Sequence, residues 1–171
     1  GSVQATDGNP TVVELAQRNL ENNRLRIPNA NCQLQAMLLP WGLLDASDYT
    51  DSADVILGSD LTYNAGSWRV LAETMATLLK PTGCVIYLSL GHAGFEVNAE
   101  MDGFLAVARA QGLVAVKSPM DPNWPLPVVL YRSLEELLLL KCVSPSERDL
   151  LQSTGGVRVL VLCKKEMRSK Q

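Results

Sequence analysis

The feature that most constrains this chain is its rhythm. Short, nearly unbroken apolar runs alternate with stretches whose apolar residues recur every three or four positions. Residues 3–6, 32–39, 53–58, 84–90, 113–117 and 157–163 have the length and composition of strands. Between them, residues 11–22 place Val12, Leu15, Ala16 and Leu20 on one helical face. Trp68, Leu71, Ala72, Met75, Leu78 and Leu79 form the clearest stripe, and Val97, Met101, Phe104, Leu105 and Ala108 form another. Pro10 suits a first helical turn, while Lys80-Pro81-Thr82-Gly83 and Gln111-Gly112 are stops. Strands apolar enough to be buried on both faces, interleaved with amphipathic helices, predict an α/β fold: a mostly parallel sheet with helices on both faces.

With 171 residues, 47% of them apolar, there is material for one folded domain over residues 1–171. No repeat or internal linker divides it; Gly1-Ser2 resembles a cloning remnant and 164–171 a basic tail that frays. No run approaches the roughly 18 apolar residues of a spanning helix, and no export signal is visible. The expectation is a protein of the cytoplasm, with the nucleus as a second compartment, and no membrane partner. A formal charge of -3 gives no general pull on phosphate backbones, which argues against a nucleic-acid partner. Cys32, Cys84, Cys142 and Cys163 are not spaced for zinc, and three of them sit in apolar runs, as reduced buried thiols do. The single histidine, His92, leaves little material for a metal site or a hydrolase triad, so no metal is expected. Four prolines between 119 and 127 mark an irregular loop, and 133–142 suits either a capped helix or a buried strand.

Ligands of parallel sheets bind beyond the carboxyl ends of the strands. Four segments follow strands there: Asp7-Gly8-Asn9, Pro40-Trp41-Gly42, Ser59-Asp60-Leu61-Thr62-Tyr63, and Gly91-His92-Ala93-Gly94. Asp7 could accept hydrogen bonds from both hydroxyls of a ribose, or cap the following helix. Trp41 could stack on a purine, or plug the sheet edge. Asp60 and Tyr63, three apart, would point the same way if their turn were helical, joining a carboxylate to a phenol at a pocket mouth. There the carboxylate could receive an ammonium group; alternatively, Asp60 or Asn64 caps a helix and Tyr63 packs.

Taken in order, these segments resemble the seven-strand, Rossmann-like methyltransferases that use S-adenosylmethionine, and more narrowly their protein-lysine methyltransferase group. The carriers are Ala5-Thr6-Asp7-Gly8-Asn9-Pro10 with Asn19 and Asn22-Asn23, then Leu39-Pro40-Trp41-Gly42, then Asp54-Val55-Ile56-Leu57-Gly58-Ser59-Asp60-Leu61-Thr62-Tyr63, then Leu78-Leu79-Lys80-Pro81-Thr82-Gly83. The last is generic to the fold, whereas the D-x-x-Y of Asp60 and Tyr63 points to the lysine-specific group. The resemblance covers about residues 3–92. It implies S-adenosylmethionine as cofactor and a protein lysine as acceptor. It also implies Asp7 on the ribose, Trp41 and Ser59 lining the adenosine and methionine pocket, and Asp60 and Tyr63 bordering the lysine entry as the catalytic pair.

Two departures stand beside it. Pro40 occupies the place where the family usually carries an acidic residue, and no G-x-G-x-x-G occurs in the sequence. The chain begins at what the family would count as its second strand, so it looks like the carboxyl-terminal two thirds of an incomplete seven-strand domain. In the family's order the first strand lies between the second and fourth, which here end at Asp7 and Gly58. Direct closure of those strands, or a second copy paired at the open edge as a homo-dimer, would satisfy their backbone groups. The cofactor is expected to bind this chain weakly or not at all. A non-catalytic interaction module and a methyltransferase for a small molecule or nucleic acid are the alternatives.

Overall fold

The structure, a computed structural model, describes residues 1–24, 32–42, 49–89, 97–115 and 158–165. The chain divides into two units, Gly1–Asp45 and Ala46–Gln171.

In the first unit, β1 (Ser2–Asp7) leads through α1 (Pro10–Arg24) to β2 (Gln33–Leu38), which pairs with β1 in parallel from Ser2 opposite Gln33 to Asp7 opposite Leu38. Asn9 starts the helix: its Oδ1 accepts from Thr11 N at 2.9 Å and its carbonyl from Val13 N at 3.1 Å. Pro10 follows as first helical residue, where its missing N–H costs nothing. The inward face differs from the expected one. Val12 and Leu15 are 42% and 51% exposed, whereas Val13, Ala16, Gln17 and Leu20 are half-buried. The cause is Gln17, whose Oε1 accepts from Ala36 N of β2 at 3.0 Å and so fixes the helix's rotation.

In the second unit, β3 (Ala53–Ser59), α2 (Trp68–Leu78) and β4 (Leu79–Ser89) form another parallel strand–helix–strand unit. Then come α3 (Val97–Ala110), β5 (Leu113–Ala115) and β6 (Arg158–Lys164). The sheet order is β3-β4-β6-β5, with β6 antiparallel to both its neighbours. The stripes on α2 and α3 supply Leu71, Ala72, Met75, Met101, Phe104 and Ala108 to the core. The Tyr87 and Phe104 rings meet at 5.7 Å between centroids, tilted by 40°. On the other side of the sheet, Cys84, Ile86 and Val161 form a second buried cluster with Leu88 and Cys163 against it. Burial pushes the Cys84 thiol pKa up. Gly112, at φ +81°, ends α3 in the left-handed conformation that glycine adopts without strain.

Two expectations are corrected. α2 stops at Leu78 as Lys80 to Gly83 signals, but the strand expected from Cys84 already begins at Leu79, and five steps along β4, from Leu79 to Cys84, answer two along β3, from Ala53 to Val55. Nor is β3 buried on both faces. It has one described neighbour, and Val55 and Leu57 are 50% and 73% exposed. The proline-rich loop from 119 to 127, residues 133–142 with Cys142, and Gly91-His92-Ala93-Gly94 lie outside the described residues.

Candidate active site

Parallel pairing decides where the strand-end residues go. In the first unit β1 and β2 finish level, so Asp7 and the Pro40-Trp41-Gly42 turn emerge at the same end of the ladder. Leu39 N donates to Asp7 O at 2.9 Å, and the Cα of Pro40 lies 3.8 Å from the point a Cβ on Gly8 would occupy. Asp7 Oδ1 accepts from Asn9 N at 2.8 Å, a local turn that fixes the exposed carboxylate's position. The helix cap itself is Asn9. Trp41 is half-buried in a turn that Gly42, at φ +78°, completes.

In the second unit Ser59 ends β3 exposed, opposite Leu88. Asp60 follows with φ +56° while its N–H still donates to Leu88 O at 2.9 Å. Such a left-handed residue costs about 1–2 kcal/mol, and Asp bears it better than most. The Tyr87 hydroxyl offsets that cost by accepting from Leu61 N at 2.8 Å and Thr62 N at 3.0 Å, bonds worth about 1 kcal/mol each. The turn from 60 to 63 is therefore not helical, and helical spacing does not align Asp60 with Tyr63. Tyr63 is 63% exposed, which the reading that packs it does not expect. Capping belongs to Asn64, whose Oδ1 accepts from Gly66 N at 3.0 Å ahead of a short 3-10 turn, Ala65–Ser67.

Four residues that sequence reasoning passed over hold this turn. Tyr87, Thr62 and Glu100 are buried, and Thr62 Oγ1 bonds both the Tyr87 hydroxyl, at 2.9 Å, and the Glu100 carboxyl. Trp68 Nε1 donates to the Thr62 carbonyl at 2.7 Å. Burial pushes the Tyr87 phenol above its ordinary pKa; the hydrogen bonds from Thr62 and Leu61 pull part way back, and the nearby Glu100 pushes up again. Signals for two of them were present. A tyrosine inside a buried strand needs a hydrogen-bond partner. Glu100 falls four residues before Phe104 on the apolar face of α3, where a carboxyl must also be paired. Among the described residues no three His, Cys, Asp or Glu side chains group to hold a metal ion.

A lysine methyltransferase family model matches residues 1–96, more than half of the chain. A calmodulin-lysine N-methyltransferase of Arabidopsis thaliana is 36% identical over 78 residues, 46% of this chain and 25% of that protein. The chain thus spans about a quarter of that relative's length. Among solved structures, a protein described as a sarcosine dimethylglycine methyltransferase, from Galdieria sulphuraria, aligns over 96% of this chain and 70% of its own. Its TM-score is 0.53 at 16% identity. The geranyl diphosphate C-methyltransferase of Streptomyces coelicolor A3(2) aligns over 96% and 62%, with a TM-score of 0.50 at 14% identity. At such identities these structures establish the Rossmann-like methyltransferase fold alone. The chain belongs to the lysine methyltransferase family.

Proposed function

From that membership we propose that this chain serves a protein-lysine N-methyltransferase, with S-adenosylmethionine as methyl donor and a protein lysine as acceptor. The observation that carries the reading is the D-x-x-Y turn set at the end of a parallel strand, in a chain of this family. When bound, the cofactor supplies an electrophilic sulfonium methyl group. Asp7 accepts hydrogen bonds from its ribose hydroxyls, Trp41 packs its indole against the adenine, and Ser59 lines the pocket. What supports these roles is that Asp7 and Trp41 leave their strands at one end, with the Asp7 carboxylate exposed and fixed by Asn9. Asp60 receives the acceptor's ammonium group, and Tyr63 forms a wall beside the alkyl stem. The reacting amine must be neutral, so the lysine ammonium would first pass its proton to solvent, and as the nitrogen gained the methyl group the sulfur–methyl bond would break to leave a neutral thioether. The rest of catalysis is alignment and exclusion of water. The thiols Cys32, Cys84 and Cys163, none of them in a disulfide, suit a reducing compartment, and we place the protein in the cytoplasm.

Calmodulin is the first acceptor to try, because the Arabidopsis relative is named for it. Transfer of radiolabelled methyl from S-adenosylmethionine to calmodulin lysine is expected of the full-length protein, since this chain by itself is expected to hold the cofactor weakly. Asp60→Asn should slow it about 10- to 100-fold, the worth of one charge-assisted hydrogen bond. Its melting temperature should barely move, since Asn accepts a left-handed φ as Asp does. A large melting loss with full activity would assign Asp60 a structural role and sink the reading.

A further inference from the structure

The hydroxyl chain behind the D-x-x-Y turn is ordered by the bond between Thr62 and Glu100. Thr62 Oγ1 carries a single hydrogen and donates it to the Glu100 carboxyl. Its contact with Tyr87 can then be made only with Tyr87 as donor, Tyr87 O–H to Thr62 Oγ1 at 2.9 Å. The lone pairs of that phenol oxygen are left for the N–H groups of Leu61, at 2.8 Å, and Thr62, at 3.0 Å. The orientation thus runs one way, from Glu100 on α3 through Thr62 to Tyr87 on β4, and ends on the two peptide groups that follow Asp60. The peptide after Thr62 is held separately, by Trp68 Nε1 on its carbonyl at 2.7 Å. Thr62, Tyr87 and Glu100 are all at most 2% exposed, so water cannot substitute for a lost partner.

We propose that Tyr87 and Glu100 are positioning residues for methyl transfer: their relay through Thr62 holds the left-handed turn at Asp60 and thereby presents Asp60 and Tyr63 to the acceptor lysine. This rests on the methyltransferase reading above. Neither residue touches substrate; each acts through the backbone of residues 60–63. A bond set that merely stabilised the core would have no reason to converge on this turn. Among the described residues, the hydrogen bonds of the Tyr87 hydroxyl go to Leu61 and Thr62.

The test uses Tyr87→Phe, which keeps the ring packed beside Phe104, together with Glu100→Gln and Glu100→Leu. Amide hydrogen exchange should rise at least about tenfold at Leu61 and Thr62 in Tyr87→Phe, with little change at Leu160 and Leu162 in β6, the loss of one net hydrogen bond. In the calmodulin assay, kcat should fall about tenfold or more while KM for S-adenosylmethionine changes less than about twofold. Glu100→Gln keeps an acceptor for Thr62 and should retain most of both properties that Glu100→Leu loses. Unchanged exchange at Leu61 and Thr62 overturns the proposal, and so does faster exchange with unaltered kcat. If the unsubstituted protein transfers no methyl group, the methyltransferase reading falls, and the positioning role with it; exchange would then still report whether the relay clamps the turn.

Discussion

Gly83 separates two reasons for which a sequence needs glycine. The sequence presents it as a helix stop, a place where backbone freedom matters. In the structure it lies inside β4, and a Cβ there would stand 2.7 Å from the Asp54 carbonyl oxygen, 2.8 Å from Leu79 Cδ1 and 3.0 Å from the Ala53 carbonyl oxygen. Two of these three neighbours are backbone of the paired strand and cannot rotate away. Overpacking costs typically about 1–3 kcal/mol, and a clash with fixed backbone belongs at the upper end, about 3 kcal/mol. For a chain of this size that is a fall in melting temperature of about 6–12 °C for Gly83→Ala, read by circular dichroism. Gly112 is the contrast: its φ is +81° and nothing lies within 4 Å of its Cβ position. Gly112→Ala should cost about 1 kcal/mol, and Gly112→Asn less, because Asn tolerates the left-handed region. At Gly83, Asn should be no better than Ala. A Gly83→Ala melting loss under about 2 °C, or recovery by Asn at 83, would refute the close-approach argument.

Asn9→Ala should remove the cap from α1 at a cost of about 1 kcal/mol, and amide exchange at Thr11 and Val13 should speed up while that in β6 does not. Stability should decline above pH 9: Cys84 and Tyr87 have pKa values raised from 9.0 and 10.0, so the unfolded chain ionises first and is stabilised relative to the folded one as pH rises. Thermal melts from pH 8 to 11 should show the decline beginning near 9.0, and Cys84→Ala should flatten its first part; a melting temperature independent of pH over that range would contradict the burial of both groups.

How much of this was legible in the sequence varies with the range of the interaction. Local signals were decisive. The stripes on α2 and α3, the stop at Gly112 and the apolar runs that became β1, β2, β4 and β6 all follow from neighbours a few positions apart. The rotation of α1 was not legible, because Val12, Val13, Leu15 and Ala16 offer two overlapping apolar faces. The choice falls to Gln17, whose partner Ala36 is 19 residues away. The expected burial of β3 failed for a related reason. Val55 and Leu57 read as core, but whether a strand lies inside a sheet depends on its neighbours, and β3 has one among the described residues.

The candidate site shows the same division more sharply. The D-x-x-Y spacing singled out Asp60 and Tyr63 as candidates, and strand direction put Asp7 and the Trp41 turn at one end of the β1–β2 ladder, since both are properties of short segments. The conformation at Asp60 is set elsewhere. A left-handed aspartate directly after a strand would ordinarily relax toward the extended region, where the chain has less strain. It is held because the phenol of Tyr87, 26 residues on from Leu61, takes the next two N–H groups, and because Thr62 is tied to Glu100, 38 residues on from Thr62. Had Tyr87 been Phe, the D-x-x-Y motif would stand unchanged in the sequence, with two inward N–H groups unsatisfied. Two chains with the same four-residue motif can therefore differ in whether the turn is formed. The better sequence signature of a formed turn is the motif together with a tyrosine in the following strand and a carboxyl on the buried face of the helix after it.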